Sequence, residues 1–217
     1  MDHASDSKPR FDPLGFHGLL ALLSLEFLIV PMVELPGTPT WAIIAHSLFR
    51  AVVFMLLVGP IRHPVLVTVC IGSVTLAVLS RLVLGSNFAA DCLAFASIFV
   101  VVVVAIQRTL RLETVTSATM SSVLALYLLI GMLWSHVYNG IEAVRPGSFL
   151  LAASPAGRAD LHYFSYVTMT TLGYGDVIPT HAVGRSLAVA QALVGQVFIA
   201  VGIGRLVAVH VATSRGR

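Results

Sequence analysis

The tightest constraint on this chain is the way its apolar sequence breaks up into lengths of about one membrane thickness. A helix that crosses ~30 Å of hydrocarbon needs ~20 mostly apolar residues. Six segments approach or meet that length: Phe16 to Val33, Trp41 to Val58, Val65 to Leu84, Phe88 to Ile106, Ser121 to Tyr138 and Ala182 to Val209. Turn-forming residues end the first three, at Glu34-Leu35-Pro36-Gly37, Gly59-Pro60 and Gly85-Ser86-Asn87. Hydrophobic residues make up 57% of the chain and charged residues 11%. An average soluble domain carries about 25% charged residues, so a soluble fold lacks the polar surface it needs. The net charge of +3 is spread over 13 Lys and Arg without a basic run, which argues against a nucleic-acid partner. The two cysteines, Cys70 and Cys92, fall at different expected depths, so no disulfide framework is expected. The fold class is therefore an all-α integral membrane protein, with lipids as its surroundings.

The start of the chain does not read as a cleaved leader. The apolar run is long, Asp2 and Asp6 dilute Lys8 and Arg10, and no small-x-small site follows. Basic residues in the loops set the orientation. With the N-terminus inside, Lys8, Arg10, Arg62, Arg108, Arg111, Arg205, Arg215 and Arg217 fall on the inner side, against Arg81, Arg145, Arg158 and Arg185 outside. Both termini are expected to be cytoplasmic. The Ala/Val/Leu/Arg-rich usage and short loops suggest a bacterial inner membrane.

Between the fifth and sixth spans lies a stretch too polar to cross a membrane. Its core reads Thr170-Thr171-Leu172-Gly173-Tyr174-Gly175-Asp176, preceded by an aromatic-Ser-x-Val-Thr-x-Thr-Thr run and followed by Asp-x-x-Pro. Over Leu161 to Pro179 this resembles the tetrameric pore-loop potassium channel superfamily, with Leu172 in place of the usual valine of the TVGYG filter. The likeness extends loosely over the fifth and sixth spans. It implies a short pore helix, Asp160 to Thr170, that dips in from outside, then a selectivity filter at Thr171, Leu172, Gly173, Tyr174 and Gly175. The residue chemistry agrees. Potassium selectivity needs rings of backbone carbonyls that replace the ion's hydration shell. Carbonyls that all face one way require backbone dihedrals of alternating hand, and glycine reaches positive φ without steric cost. Gly173 and Gly175 stand two apart, as that alternation demands. Leu172 and Tyr174 are expected to pack behind the filter, and the Thr171 hydroxyl to add a ligand at its inner end. Asp160 is expected to cap the pore helix. Asp176 is expected at the outer mouth, raising the local cation concentration. The resemblance implies K+ ions as the ligands, with no organic cofactor expected. One filter per chain cannot make a fourfold ring, so a homotetramer is expected.

The resemblance further implies that the sixth span lines the pore, with a hinge glycine about twenty residues after the filter, where Gly195 stands. Gln196, Ile199, Ile203 and Val207 share one helical face and are expected to line the cavity and gate. No Pro-x-Pro kink is present. The domain plan is an N-terminal segment (1–15), a four-helix membrane domain (16–106), an interfacial linker (107–119), a pore domain (120–211) and a short tail (212–217). The four-helix domain has a voltage sensor's position but not its charges. The fourth span, FAADCLAFASIFVVVVVAI, has no basic residue, so weak or absent voltage dependence is expected.

Glu26 and Arg50 lie within the first and second spans, both ~15 Å deep at ~1.5 Å rise per residue. They are expected to pair. Arg81 and Asp91 are candidates for a second pair near the outer face. His162 and His181 flank the filter and are candidates for pH sensing, while His46 and His136 are as readily hydrogen-bonded within the bundle. No nucleophile elbow or metal-ligand spacing is present, so an enzyme is not expected. Little sequence follows the sixth span, so regulation is expected from the membrane part, lipid, pH or an unidentified regulatory subunit. A passive potassium channel is the leading reading. A non-selective monovalent cation channel and a potassium transporter subunit are the alternatives.

Overall fold

A computed structural model describes residues 13–33, 38–58, 72, 75–76, 79, 87–110 and 117–215. The helices are α1 (Pro13–Val33), α2 (Thr40–Val58), α3 (Asn87–Leu110), α4 (Ser117–Val144), α5 (Arg158–Met169) and α6 (Ala182–Arg215). Three short strands, β1 (Phe149–Leu151), β2 (Ser154–Pro155) and β3 (Val177–Pro179), lie around α5 in sequence. The third expected span, Val65 to Leu84, falls almost wholly outside the described residues, as do Arg81 and Cys70. Among the described residues, two helices, Thr119–Val144 and Ala182–Arg205, are long and apolar enough to cross a membrane.

The helices run past the apolar segments that announce them. α3 continues from Ile106 to Leu110, and α4 starts at Ser117 and ends at Val144, beyond Tyr138. The interfacial linker expected over 107–119 is thus helical at both ends. The Thr109 hydroxyl satisfies itself on the Ala105 carbonyl at 2.8 Å, which lets a polar residue extend a helix.

α4 is the central helix. α3 packs along it, and α1, α5 and α6 also lean on it. One apolar core joins Leu23 of α1, Val53 of α2, Ile98 and Val101 of α3, Leu126 and Leu129 of α4 and Met169 of α5. A second core of Tyr138, Phe149, Leu161, Phe164 and Val177 fills the end near the strands. α6 differs from the rest. Its apolar window is only 11% buried, and Val189, Leu193, Val197 and Val201 are all exposed.

The strands form one antiparallel sheet in the order β2-β1-β3. Leu150 pairs with both Pro155 and Ile178. A two-residue turn links β1 to β2, and both its residues, Ala152 (φ 48°) and Ala153 (φ 68°), are left-handed. That is the requirement of a type I′ hairpin, usually met by Asn or Gly. Glu142 anchors the approach to β1, its carboxylate accepting the amides of Gly147 (2.6 Å) and Phe149 (3.0 Å).

Candidate functional site

α5 is 12 residues long, too short to cross a bilayer. It begins two residues earlier than the sequence predicts, and Asp160 caps it from inside the first turn rather than from the N-cap position. Gly157 takes the N-cap position and Asp160 sits three residues in, its carboxylate accepting the Gly157 amide at 2.8 Å. The carboxylate still lies in the first turn, where the helix dipole favours it.

Side chains from three other helices hold α5. The Tyr166 hydroxyl donates to the Leu128 carbonyl (2.7 Å), and its ring lies where any Cβ on Gly131 would be. Phe27 of α1 meets the Tyr166 ring edge-on at 4.6 Å and tilts against His162 at 5.8 Å. Arg158 makes a two-pronged ion pair with Asp91 of α3, Nη1 to Oδ2 at 2.7 Å and Nη2 to Oδ1 at 2.6 Å. His136 of α4 lies 3.3 Å from the same carboxylate. The sequence pairs Asp91 with Arg81, which lies outside the described residues; among the described residues Asp91 meets Arg158 and His136, a grouping that neither charge pattern nor spacing suggests. His162, a candidate pH sensor, is buried between rings. His181 caps α6, its Nδ1 accepting the Gly184 amide at 3.2 Å.

Thr171 to Asp176 follow the C-terminal end of α5 and run into β3. Thr171 (φ 57°), Gly173 (φ 58°) and Gly175 (φ 76°) are left-handed, while Leu172 and Tyr174 between them are not. The alternation extends one residue further than the glycines alone predict. Thr171 is a β-branched residue at positive φ, a conformation that costs ~1–3 kcal/mol and persists only where the surroundings impose it. Here the Gln196 amide of α6 donates to the Thr171 hydroxyl at 3.2 Å, and that hydroxyl donates to the Thr170 carbonyl at 2.7 Å. Among the described residues, no donor is bonded to the main-chain oxygens of Leu172 to Gly175. At the other end, β3 clamps the segment to β1, and Thr180 donates its amide to the Ser148 carbonyl at 2.9 Å.

Within a single chain, two sets of expected positions have the following surroundings. Leu172 and Tyr174 do not pack behind the segment: they are 56% and 67% exposed. A single copy has no wall on that side to receive them. At Gly195 the helix runs on unbroken, and a Cβ there would overlap the Met169 carbonyl. What the structure requires of that position is space for a close helix contact.

Asp176 is exposed and doubly held. The Tyr163 hydroxyl donates to Oδ2 at 2.7 Å and the Val177 amide to Oδ1 at 3.0 Å. The Tyr163 bond above all, with the Val177 amide, keeps this carboxyl below the usual Asp range against a smaller opposing desolvation. A carboxylate therefore persists at the end of the segment away from α5. Ile199 and Ile203 border an apolar cleft of about 490 Å³ between α4 and α6, and Val207 is exposed one turn further along. Deep in the bundle, Arg50 Nε donates to Glu26 Oε1 at 2.8 Å and His46 Nε2 lies 3.0 Å from the same oxygen.

The profile of a family described as "Ion channel" matches residues 93–211. Two-pore potassium channel 1 of Arabidopsis thaliana is 37% identical over 76 residues, which cover 35% of this chain and 19% of that protein. The inward rectifier potassium channel Kirbac3.1 of Paramagnetospirillum magnetotacticum is 36% identical over 80 residues, covering 35% of this chain and 24% of that protein. The chain thus matches about a fifth to a quarter of the length of these curated relatives. No solved structure matches at the same stringency.

Proposed function

This chain belongs to the ion-channel family, and on that premise we propose that it forms a potassium-selective channel. Four copies would bring their Thr171 to Gly175 segments around one axis. The observation that carries this reading is the alternation of hand at Thr171, Gly173 and Gly175 in a segment whose carbonyls hold no donor. Alternating dihedrals turn successive carbonyls toward one side. Rings of such carbonyls substitute for the hydration shell of K+, and several weak sites in series let ions enter and leave by mutual repulsion. The α5 helix aims its negative end at the inner mouth. Asp176 concentrates cations at the outer one.

The bare face of α6 supports self-association, because a neighbouring copy is what would cover Leu172, Tyr174 and that face. In this reading the chain has six spans with both termini cytoplasmic, and residues 16–106 form a domain peripheral to the pore. Ile199, Ile203 and Val207 line the inner gate. Conduction is passive, with little or no voltage dependence.

The test is the reversal potential of purified protein in planar bilayers under opposed KCl and NaCl gradients. Wild type is expected to reverse near the potassium equilibrium potential. Gly173→Ala is expected to abolish selectivity, because φ 58° strains any L side chain although the space around Gly173 is open. A wild-type reversal near zero would overturn the proposal.

A further inference from the structure

Beside the filter runs a chain of polar groups that crossing a membrane does not require. Gln191 of α6, Tyr138 of α4 and Ser165 of α5 are each 0% exposed. The Tyr138 hydroxyl donates to Gln191 Oε1 at 2.6 Å. Gln191 Nε2 donates to the Ser165 carbonyl at 2.9 Å and to its hydroxyl at 2.8 Å. The Ser165 hydroxyl in turn donates to the Gly131 carbonyl at 2.7 Å. Every bond runs in one direction, so the orientation of the amide is fixed by its neighbours. A buried amide is costly unless satisfied, and an apolar residue would fill the same space without needing partners.

What this chain ties together is specific. Ser165 stands six residues before Thr171 on the 12-residue α5. Gln191 stands one helical turn before Gly195, which lies against the Met169 carbonyl, and Gln196 reaches Thr171. α6 therefore grips α5 and the filter at three successive heights. Gln191 is the wholly buried grip, and the one that also reaches α4. A fully satisfied buried network specifies one arrangement of the groups it joins.

We propose that Gln191, braced by Tyr138, is a positioning residue that fixes the height and rotation of α5 and so sets the potassium-over-sodium selectivity of the filter. The inference rests on the potassium-channel reading above. Selectivity depends on the number and placement of carbonyls around the ion, and functional groups must be held to within ~0.5 Å. Loosening α5 is thus expected to alter discrimination before it abolishes conduction.

The experiment compares full-length wild type, Gln191→Leu, Tyr138→Phe and Val53→Ala in planar bilayers. It reads the K+/Na+ permeability ratio alongside the thermal stability of the assembly. Gln191→Leu is expected to lower the ratio at least tenfold while K+ current persists. Tyr138→Phe removes one donor and keeps the ring contacts with Phe149 (5.2 Å) and Phe164 (5.0 Å), so it preserves the fold if Gln191→Leu does not assemble. It is expected to lower the ratio several-fold. Val53→Ala empties part of the core on α2, a helix that carries none of the network's residues, and is expected to lower stability with the ratio unchanged. Wild-type ratios in the Gln191 and Tyr138 variants would overturn this proposal and leave the potassium channel standing. An unselective wild type would instead remove the reading on which it rests.

Discussion

Glu26 and Asp91 are both buried, each 1% exposed, and each meets an arginine and a histidine. They differ in how they are held and in what they join. Glu26 receives Arg50 through a single Nε contact and shares that oxygen with His46; among the described residues its Oε2 has no partner. All three residues lie on α1 and α2. Asp91 receives Arg158 through both oxygens and reaches from α3 to α4 and the first residue of α5. The first cluster fixes two peripheral helices against each other. The second ties the periphery to the helix that leads into the Thr171–Gly175 segment. Residue chemistry is nearly the same in both, so connectivity is what separates a packing element from one placed to affect conduction.

Removing Arg158 tests that distinction most severely. Arg158→Ala strands a buried carboxylate, which costs ~3–5 kcal/mol, and also frees the N-terminal end of α5. We expect a large fall in thermal stability together with loss of most K+ current. A destabilised variant with normal permeation would make the two clusters equivalent. Arg50→Ala is expected to cost about 3 kcal/mol for the same reason but to leave the K+/Na+ permeability ratio intact. The double change Glu26→Met with Arg50→Met removes both charges and is expected to fall within about 1 kcal/mol of wild type, as thermal unfolding would read out.

Asp176 supplies a smaller contrast, a carboxylate held equally well but in water. Its pKa is depressed in the folded chain, so its contribution is present above the ordinary Asp value of ~3.9 and is lost only as pH falls through the lower folded value. Single-channel conductance is expected to stay flat from neutral to mildly acidic pH and to drop below that range. Tyr163→Phe removes the leading cause of the depression and is expected to move the drop to higher pH. An unchanged pH profile would mean that the tyrosine does not govern this charge. The smallest expected effect is on voltage. Arg50 and Arg158 are both paired, and α3 carries no basic residue before Arg108. Conductance is expected to change far less than the roughly 50-fold per 100 mV that one transferred elementary charge would give. A steep conductance–voltage curve would mean that one of these paired arginines moves.

The described helices and the left-handed turns at Gly173 and Gly175 were legible in the sequence because both rest on local rules: apolar length for the first, two glycines at an interval of two for the second. Gln196 beneath Thr171 and Arg50 beside Glu26 followed from helical spacing and matched depth. Three features did not announce themselves. The β1–β2 turn uses Ala152 and Ala153 where Asn or Gly would have signalled it. Arg158 lies 67 residues from Asp91, a distance that no periodicity bridges. Gln191 reads as one polar residue in an apolar run until Tyr138 and Ser165 are seen to meet it. Thr171 was expected to contribute its hydroxyl, but its left-handed backbone is imposed by tertiary contact and leaves no mark in composition.

The uncovered face of α6 bears on how such a subunit comes to exist at all. Lipid tails are as apolar as leucine, so hydrocarbon exerts no hydrophobic drive to bury that face. A newly inserted single copy can rest in the bilayer with α6 bare. Its Thr171–Gly175 segment cannot, because main-chain carbonyls that have no donor among the described residues are costly in hydrocarbon unless protein or water surrounds them. For the proposed assembly, the polar loop rather than the greasy helix would then be what brings four newly made subunits together.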